Sequence, residues 1–149
     1  MTSITIPQRQ HWMRILALTP PERLAEALAP ALSAHPGHHW LRRPETGLVM
    51  LRGRAGGTGA QFNLGEASVT RASVSLAGQI GHAWVRGSNA RHAELAALAD
   101  ALLQCPAHHA DLMAGVIAPL EAELVERRAT VSRAAAASKV EFFTMVRGE

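Results

Sequence analysis

The sequence predicts an α+β fold, in which an antiparallel sheet formed by the central strands (about 39–87) is packed on one face by N- and C-terminal helices. Three observations predict it. Apolar residues recur at helical spacing near both ends of the chain, and they alternate with polar ones in the middle. A short Ala77-Gly78 turn separates two of the alternating runs.

The first helix is expected over residues 7–18, where Trp12, Ile15 and Leu16 fall at i, i+3, i+4 on one buried face. Thr19-Pro20-Pro21-Glu22 reads as a second helix start, with Thr19 as cap, Pro20 at the first helical position and Glu22 at the capping-box position. Leu24, Leu28 and Leu32 then line the core side, with Pro30 disturbing the last turn. Strand alternation follows over residues 46–54, 66–76 and 79–86. A two-residue turn at Ala77-Gly78 sets Arg71 opposite Trp84 and Ser73 opposite His82, with Arg86 on the same polar face. Thr70, Ala72, Val74, Leu76, Ala83 and Val85 take the other face, the pattern of a sheet covered on one side. Ser88-Asn89 supplies caps for a third helix over 90–104, whose Leu95, Leu98, Ala99 and Leu102 form an apolar stripe that Pro106 ends. A last helical stretch is expected from about 108 towards 137, kinked near Pro119, with Glu123 and Arg127 paired at i, i+4. Residues 140–146 turn β-like and hydrophobic and hold Phe142 and Phe143. No repeat or long linker interrupts the pattern, so residues 1–149 read as a single domain.

Composition narrows the function classes. With 48% apolar residues the chain suits a globular core, yet no apolar run approaches the roughly 18 residues of a membrane span. The opening residues lack a basic segment followed by an apolar one, so no signal peptide is expected. Cys105 is the only cysteine and can form no internal disulfide, which fits a cytoplasmic protein. Net charge is +3, and every basic residue except Lys139 is arginine. Arginine forks suit carboxylates, phosphates and protein interfaces. The basic residues are dispersed and the aromatic ones few, which excludes the charged, stacking surface of a nucleic-acid binder.

The motifs give no complete catalytic apparatus. Gly53-Arg54-Ala55-Gly56-Gly57-Thr58-Gly59 invites a phosphate-loop reading, because successive backbone N–H groups can cradle an anion. No Lys-Ser or Lys-Thr follows, and Phe62 stands where a dinucleotide fingerprint has its third glycine. The loop is therefore either a tight strand connection or an anion contact through Arg54, Gly56, Gly57 and Thr58. His35, His38, His39, His108 and His109 are dense, but no second ligand set stands at a metal-binding spacing, so no metal site is assigned. Arg71, His82 and Trp84 converge on one sheet face. They suit either a phosphate or phosphonate, or packing against a partner, where Trp and Arg are enriched. His92 and Glu94, at i, i+2, point to different helix faces and cannot work as a pair.

Several ordered segments resemble the PhnG family of phosphonate metabolism: Arg9-Gln10-His11-Trp12-Met13, Glu45-Thr46-Gly47-Leu48-Val49, Arg54 to Gly59 with Phe62, and Thr70-Arg71-Ala72. His92-Ala93-Glu94, Asp100-Ala101-Leu102, Ile117-Ala118-Pro119-Leu120 and the closing Phe142-Phe143-Thr144-Met145-Val146-Arg147-Gly148 continue the resemblance to the end of the chain.

The resemblance implies a subunit of the carbon–phosphorus lyase complex with PhnH, PhnI and PhnJ. It also implies work with PhnH, PhnI and PhnL in ribose 1-methylphosphonate 5-triphosphate synthase, where a phosphonate oxygen displaces adenine from ATP. ATP and phosphonate are then substrates of the complex, no cofactor is bound by this chain alone, and the isolated chain is inactive. Trp84, Arg86, Phe142, Phe143 and Val146 are the candidate subunit interface. A chain isolated from such a complex is expected to self-associate, most simply as a two-fold homodimer. The competing readings are a free-standing anion-binding or regulatory module and a self-contained hydrolase or transferase using histidines, with or without zinc.

Overall fold

The elements of the computed structural model, which describes residues 4–140, are α1 (Ile6–Leu18), α2 (Pro21–Ala34), β1 (His38–Arg54), β2 (Gln61–Leu76), β3 (Gln79–Arg86), α3 (Ala90–Gln104), α4 (Pro106–Leu112) and α5 (Ala118–Ala137). A 3-10 turn at Ala55–Gly57 joins β1 to β2, and a π-helical turn at Met113–Ile117 joins α4 to α5. The strands form one antiparallel sheet in the order β1-β2-β3. The α+β class holds.

Local chemistry accounts for most boundaries. Thr5 opens α1 through a reciprocal capping box with Gln8, and Pro7 occupies the first turn, where its missing N–H costs nothing. Thr19 does not cap α2 as expected. It ends α1, its hydroxyl donating to the Ile15 carbonyl at 2.8 Å, and α2 starts at Pro21. The reason is the second proline: a residue before proline is driven out of the helical region, so Pro20 stays extended and only Pro21 can be first. Leu24 and Leu28 are buried as expected, whereas Leu32 is only partly covered.

The β2–β3 register agrees with expectation, pairing Arg71 with Trp84 and Ser73 with His82. Ala77 (φ 51°) and Gly78 (φ 75°) both sit in the left-handed region, as a type I′ hairpin turn requires. β1 begins at His38, one residue before the expected 39–87 span, although clear alternation starts only at Thr46. Pairing is irregular between Trp40 and Glu45, around Pro44, which an edge strand tolerates because its N–H need not bond a neighbour. β3 pairs with β2 only from Val69 to Leu76, so the outer parts of β1 and β2 continue past it as a two-stranded arm.

Thr70, Ala72, Val74, Leu76, Ala83 and Val85 are buried on one sheet face, beneath α3. The expected stripe of α3 is in fact buried nearly all round, from His92 to Leu103 with Glu94 the exception, because α1 and α2 cover its other side. Its alanines let the sheet approach closely. A Cβ on Gly81 would lie 2.0 Å from the Ala97 carbonyl oxygen, so glycine is required there. The irregularity expected near Pro119 is the π-helical turn before it, in which the Ala118 N–H reaches the Met113 carbonyl. Glu123 does not pair with Arg127: the Arg23 guanidinium of α2 reaches it through two nitrogens at 2.8 and 3.0 Å. No helix among the described residues is long and apolar enough to cross a membrane.

Candidate interaction face

The uncovered face of β2 and β3 carries the side chains that alternation pointed outward. His82, Trp84 and Arg86 are exposed on β3, with Arg71 and Ser73 beside them on β2. The Arg71 guanidinium lies 5.6 Å from the Trp84 ring centroid, a cation–π contact. Its Nε donates to Glu45 at 2.7 Å, and Glu45 also accepts from Arg42. Those hydrogen bonds, Arg71 first and Arg42 second, hold the Glu45 carboxyl below the usual carboxylate range. Two guanidiniums on one carboxylate leave the cluster net positive, although an incoming anion must compete with Glu45 for Arg71. Ser73 Oγ lies 2.8 Å from His82 Nδ1, which leaves Nε2 as the nitrogen open to a ligand. A shallow cavity of about 370 Å³ opens here, lined by Glu45, Thr46, Val49, Val69, Arg71 and Trp84 among others. Trp84 remains 54% exposed, a large apolar surface for a side chain held in a sheet.

Behind this face lies a polar centre that sequence reasoning missed. Asp100 on α3 is fully buried. It accepts from Arg9 Nε at 3.2 Å and Nη2 at 2.7 Å, from Trp12 Nε1 at 2.9 Å, and from the His82 backbone N–H at 2.8 Å. One carboxylate therefore ties α1 and β3 to α3 and fixes the strand position from which His82 projects. The available signal was an aspartate inside the apolar stripe of α3, together with Arg9 and Trp12 at i, i+3. Glu45 was also missed as a functional residue. Its partner Arg71 is remote in sequence, and only the β1–β2 register brings them together.

The glycine-rich loop lies elsewhere. Arg54, Gly56, Gly57 and Thr58 stand at the tip of the arm, roughly 30 Å along β2 from Arg71 at about 3.3 Å per residue. The structure does not bring the two candidate anion-binding sets together. Gly56 (φ 60°) and Gly57 (φ 82°) take left-handed conformations, as a tight connection requires. The N–H groups of Thr58 and Gly59 both bond the Ala55 carbonyl, and Arg54 Nη1 donates to the Gly59 carbonyl at 3.1 Å. The loop spends much of its donor capacity on itself.

Apart from His39, the histidines have structural partners among the described residues. The rings of His35 and His108 meet edge to face at 4.3 Å, and His109 does the same with Trp12 at 5.5 Å. His35 and His109 each place Nδ1 on a backbone carbonyl, and the buried His92 places Nε2 on the Leu16 carbonyl. Glu94 pairs with Arg91, away from His92. Among the described residues no three His, Cys, Asp or Glu side chains are grouped to hold a metal ion. Phe142, Phe143 and Val146 lie outside the described residues.

Comparison with known proteins adds identity to this geometry. The family model described as "Phosphonate metabolism protein PhnG" matches residues 7–148. The chain is 46% identical over 148 residues to the alpha-D-ribose 1-methylphosphonate 5-triphosphate synthase subunit PhnG of Rhizobium meliloti (strain 1021), a match covering 97% of this chain and 92% of that protein.

Proposed function

The chain belongs to the PhnG family, and from that premise we propose that it is a subunit of α-D-ribose 1-methylphosphonate 5-triphosphate synthase. The observation that carries the reading is 46% identity along nearly the full length of both chains to a protein bearing that name. In this reading the chain works in the cytoplasm with PhnH, PhnI and PhnL, and in a core complex with PhnH, PhnI and PhnJ. The reaction is a transfer: a phosphonate oxygen attacks the anomeric carbon of ATP and adenine leaves. ATP and the phosphonate are substrates of the assembly, and the chain by itself binds no cofactor and turns nothing over.

The described residues support an accessory role. They offer an exposed tryptophan, a net positive arginine cluster and a Ser73–His82 hydroxyl–imidazole pair on an open sheet face, and among the described residues no carboxylate hydrogen-bonds that imidazole to complete a triad. Trp84 and Arg86 serve as the subunit contact on that face, and Arg71 with His82 contacts the triphosphate or phosphonate at its margin. Residues 140–146 dock on a neighbouring subunit as a strand or an apolar tail.

The test is co-expression with the PhnH, PhnI, PhnJ and PhnL proteins of the same genome, followed by size-exclusion chromatography, mass determination and an assay of adenine release from ATP and methylphosphonate. Co-elution in fixed stoichiometry, with adenine release that disappears when this chain is omitted, is the expected result. Deleting residues 140–149 should abolish co-purification. A chain that stays apart and whose omission leaves adenine release unchanged overturns the reading.

A further inference from the structure

Building on the subunit reading, we infer that the free edge of β1 over residues 46–51 receives an extended strand from a partner subunit, one with an apolar centre and acidic residues at its ends. β1 is bonded on one side only, to β2. Alternate backbone N–H and C=O groups along its other edge are therefore unpaired among the described residues. Natural edges are blunted by proline, bulges or charge. The inner part of β1 has all three: Pro44, Arg42 and Arg43, and irregular pairing between Trp40 and Glu45. Residues 46–51 have none. They pair in unbroken register from Thr46↔Thr70 to Leu51↔Gly65, and they read Thr-Gly-Leu-Val-Met-Leu without charge or proline. Leu48 is 66% exposed and Met50 50%. A six-residue edge of this kind, left open, would template aggregation.

Charge selects the occupant. Arg43 stands at one end of the open segment and Arg52 at the other, each exposed and without a carboxylate partner among the described residues. An incoming strand with Asp or Glu at its two ends matches both. A second copy of this chain does not. Two-fold antiparallel pairing centred between Leu48 and Val49 would set Arg43 opposite Arg54 twice, and like charges directly opposite destabilise. Glu45, which would then face Arg52, is already held by Arg71 and Arg42.

The experiment is amide hydrogen exchange, read by mass spectrometry, on the isolated chain and on the complex with co-expressed PhnH, PhnI, PhnJ and PhnL. The outward amides of residues 46–51 should exchange freely in the isolated chain and slow by about 100-fold or more in the complex. The Arg43→Glu/Arg52→Glu variant, whose two side chains are exposed, should lose that protection and weaken assembly at least about tenfold. Assembly without protection overturns the edge pairing while leaving the subunit reading intact; a wild-type chain that never co-elutes overturns both. Protection already present in the isolated chain also overturns it, whether it grows with concentration, as for a second copy, or does not, as for a segment of the same chain. Charge reversal that changes neither protection nor assembly overturns the acidic flanks.

Discussion

Replacing Asp100 should cost this protein more stability than any other single charge change among the described residues. The carboxylate is fully buried, and Arg9 is 30% exposed. It accepts N–H donors from the Arg9 guanidinium, the Trp12 indole and the His82 backbone. Removing one partner of a buried pair typically costs about 3–5 kcal/mol, because the remaining groups are left desolvated and unpaired. Arg9 can recover part of its hydration, so the lower end applies, about 3 kcal/mol for Asp100→Ala. For a domain of this size that is about 10 °C in Tm. The decisive comparison is the double replacement Arg9→Met/Asp100→Leu. For a simple buried ion pair, an apolar swap of both partners is often neutral or stabilising. Here the Trp12 and His82 N–H groups would still be orphaned inside the protein, so the double variant should remain about 2 kcal/mol less stable than wild type. Urea denaturation followed by far-UV circular dichroism measures both. An Asp100→Ala loss below about 1 kcal/mol, or a double variant as stable as wild type, would refute the view that one carboxylate holds three elements together.

Further outcomes follow from particular contacts. Gly81→Ala should cost about 3 kcal/mol or prevent folding, since its Cβ would collide with the α3 backbone, whereas Gly78→Ala meets open space and should cost only about 1 kcal/mol for its positive φ; equal urea midpoints would contradict the close approach. The Glu45 carboxyl is held below its ordinary 4.5 chiefly by Arg71, and that of Glu123 chiefly by Arg23, so each contributes stability that is present above pH 4.5 and lost as pH falls through the lowered value. Urea midpoints should therefore drop on acidification below about pH 4.5, and less steeply in Glu45→Gln/Glu123→Gln, while an unchanged slope would disprove both pairs. Arg71→Ala should lower adenine release by the assembled complex without loss of co-elution, and normal turnover would rule out its contact with substrate. Trp84→Ala should leave the urea midpoint nearly unchanged and weaken co-elution at least about tenfold, and an intact complex would remove Trp84 from the interface.

The features legible in the sequence are those decided by neighbours close along the chain. The bounds of α3 follow from the Asn89 cap, whose side chain accepts from the His92 N–H, and from Pro106 beyond its end. The β2–β3 register follows from two turn residues, and with it the grouping of Arg71, His82 and Trp84. Where proline acts on its own neighbour the outcome was also local, but two prolines in succession had to be weighed together, and Pro20 lost the first helical position to Pro21. The start of β1 at His38 lies one residue from the 39–87 span expected for the sheet, although irregular pairing around Pro44 leaves clear alternation only from Thr46.

What stayed hidden was decided by groups far apart in sequence. Glu123 illustrates the competition. An i, i+4 partner in Arg127 was within reach, worth a few tenths of a kcal/mol on an exposed helix. Packing of the helices offers Arg23 instead, in a two-nitrogen fork that a single turn of helix cannot present as well. Asp100 follows the same logic with higher stakes. On α3 it looks like a break in an apolar stripe, and only the approach of α1 and β3 turns it into the acceptor that joins them. The open face depends on both kinds of contact: local alternation aims His82 outward, and the buried carboxylate fixes the backbone it projects from. The loss of Asp100 should therefore reach partner binding through the position of β3, and co-elution of Asp100→Asn measured well below its unfolding temperature should be weaker than its stability alone accounts for.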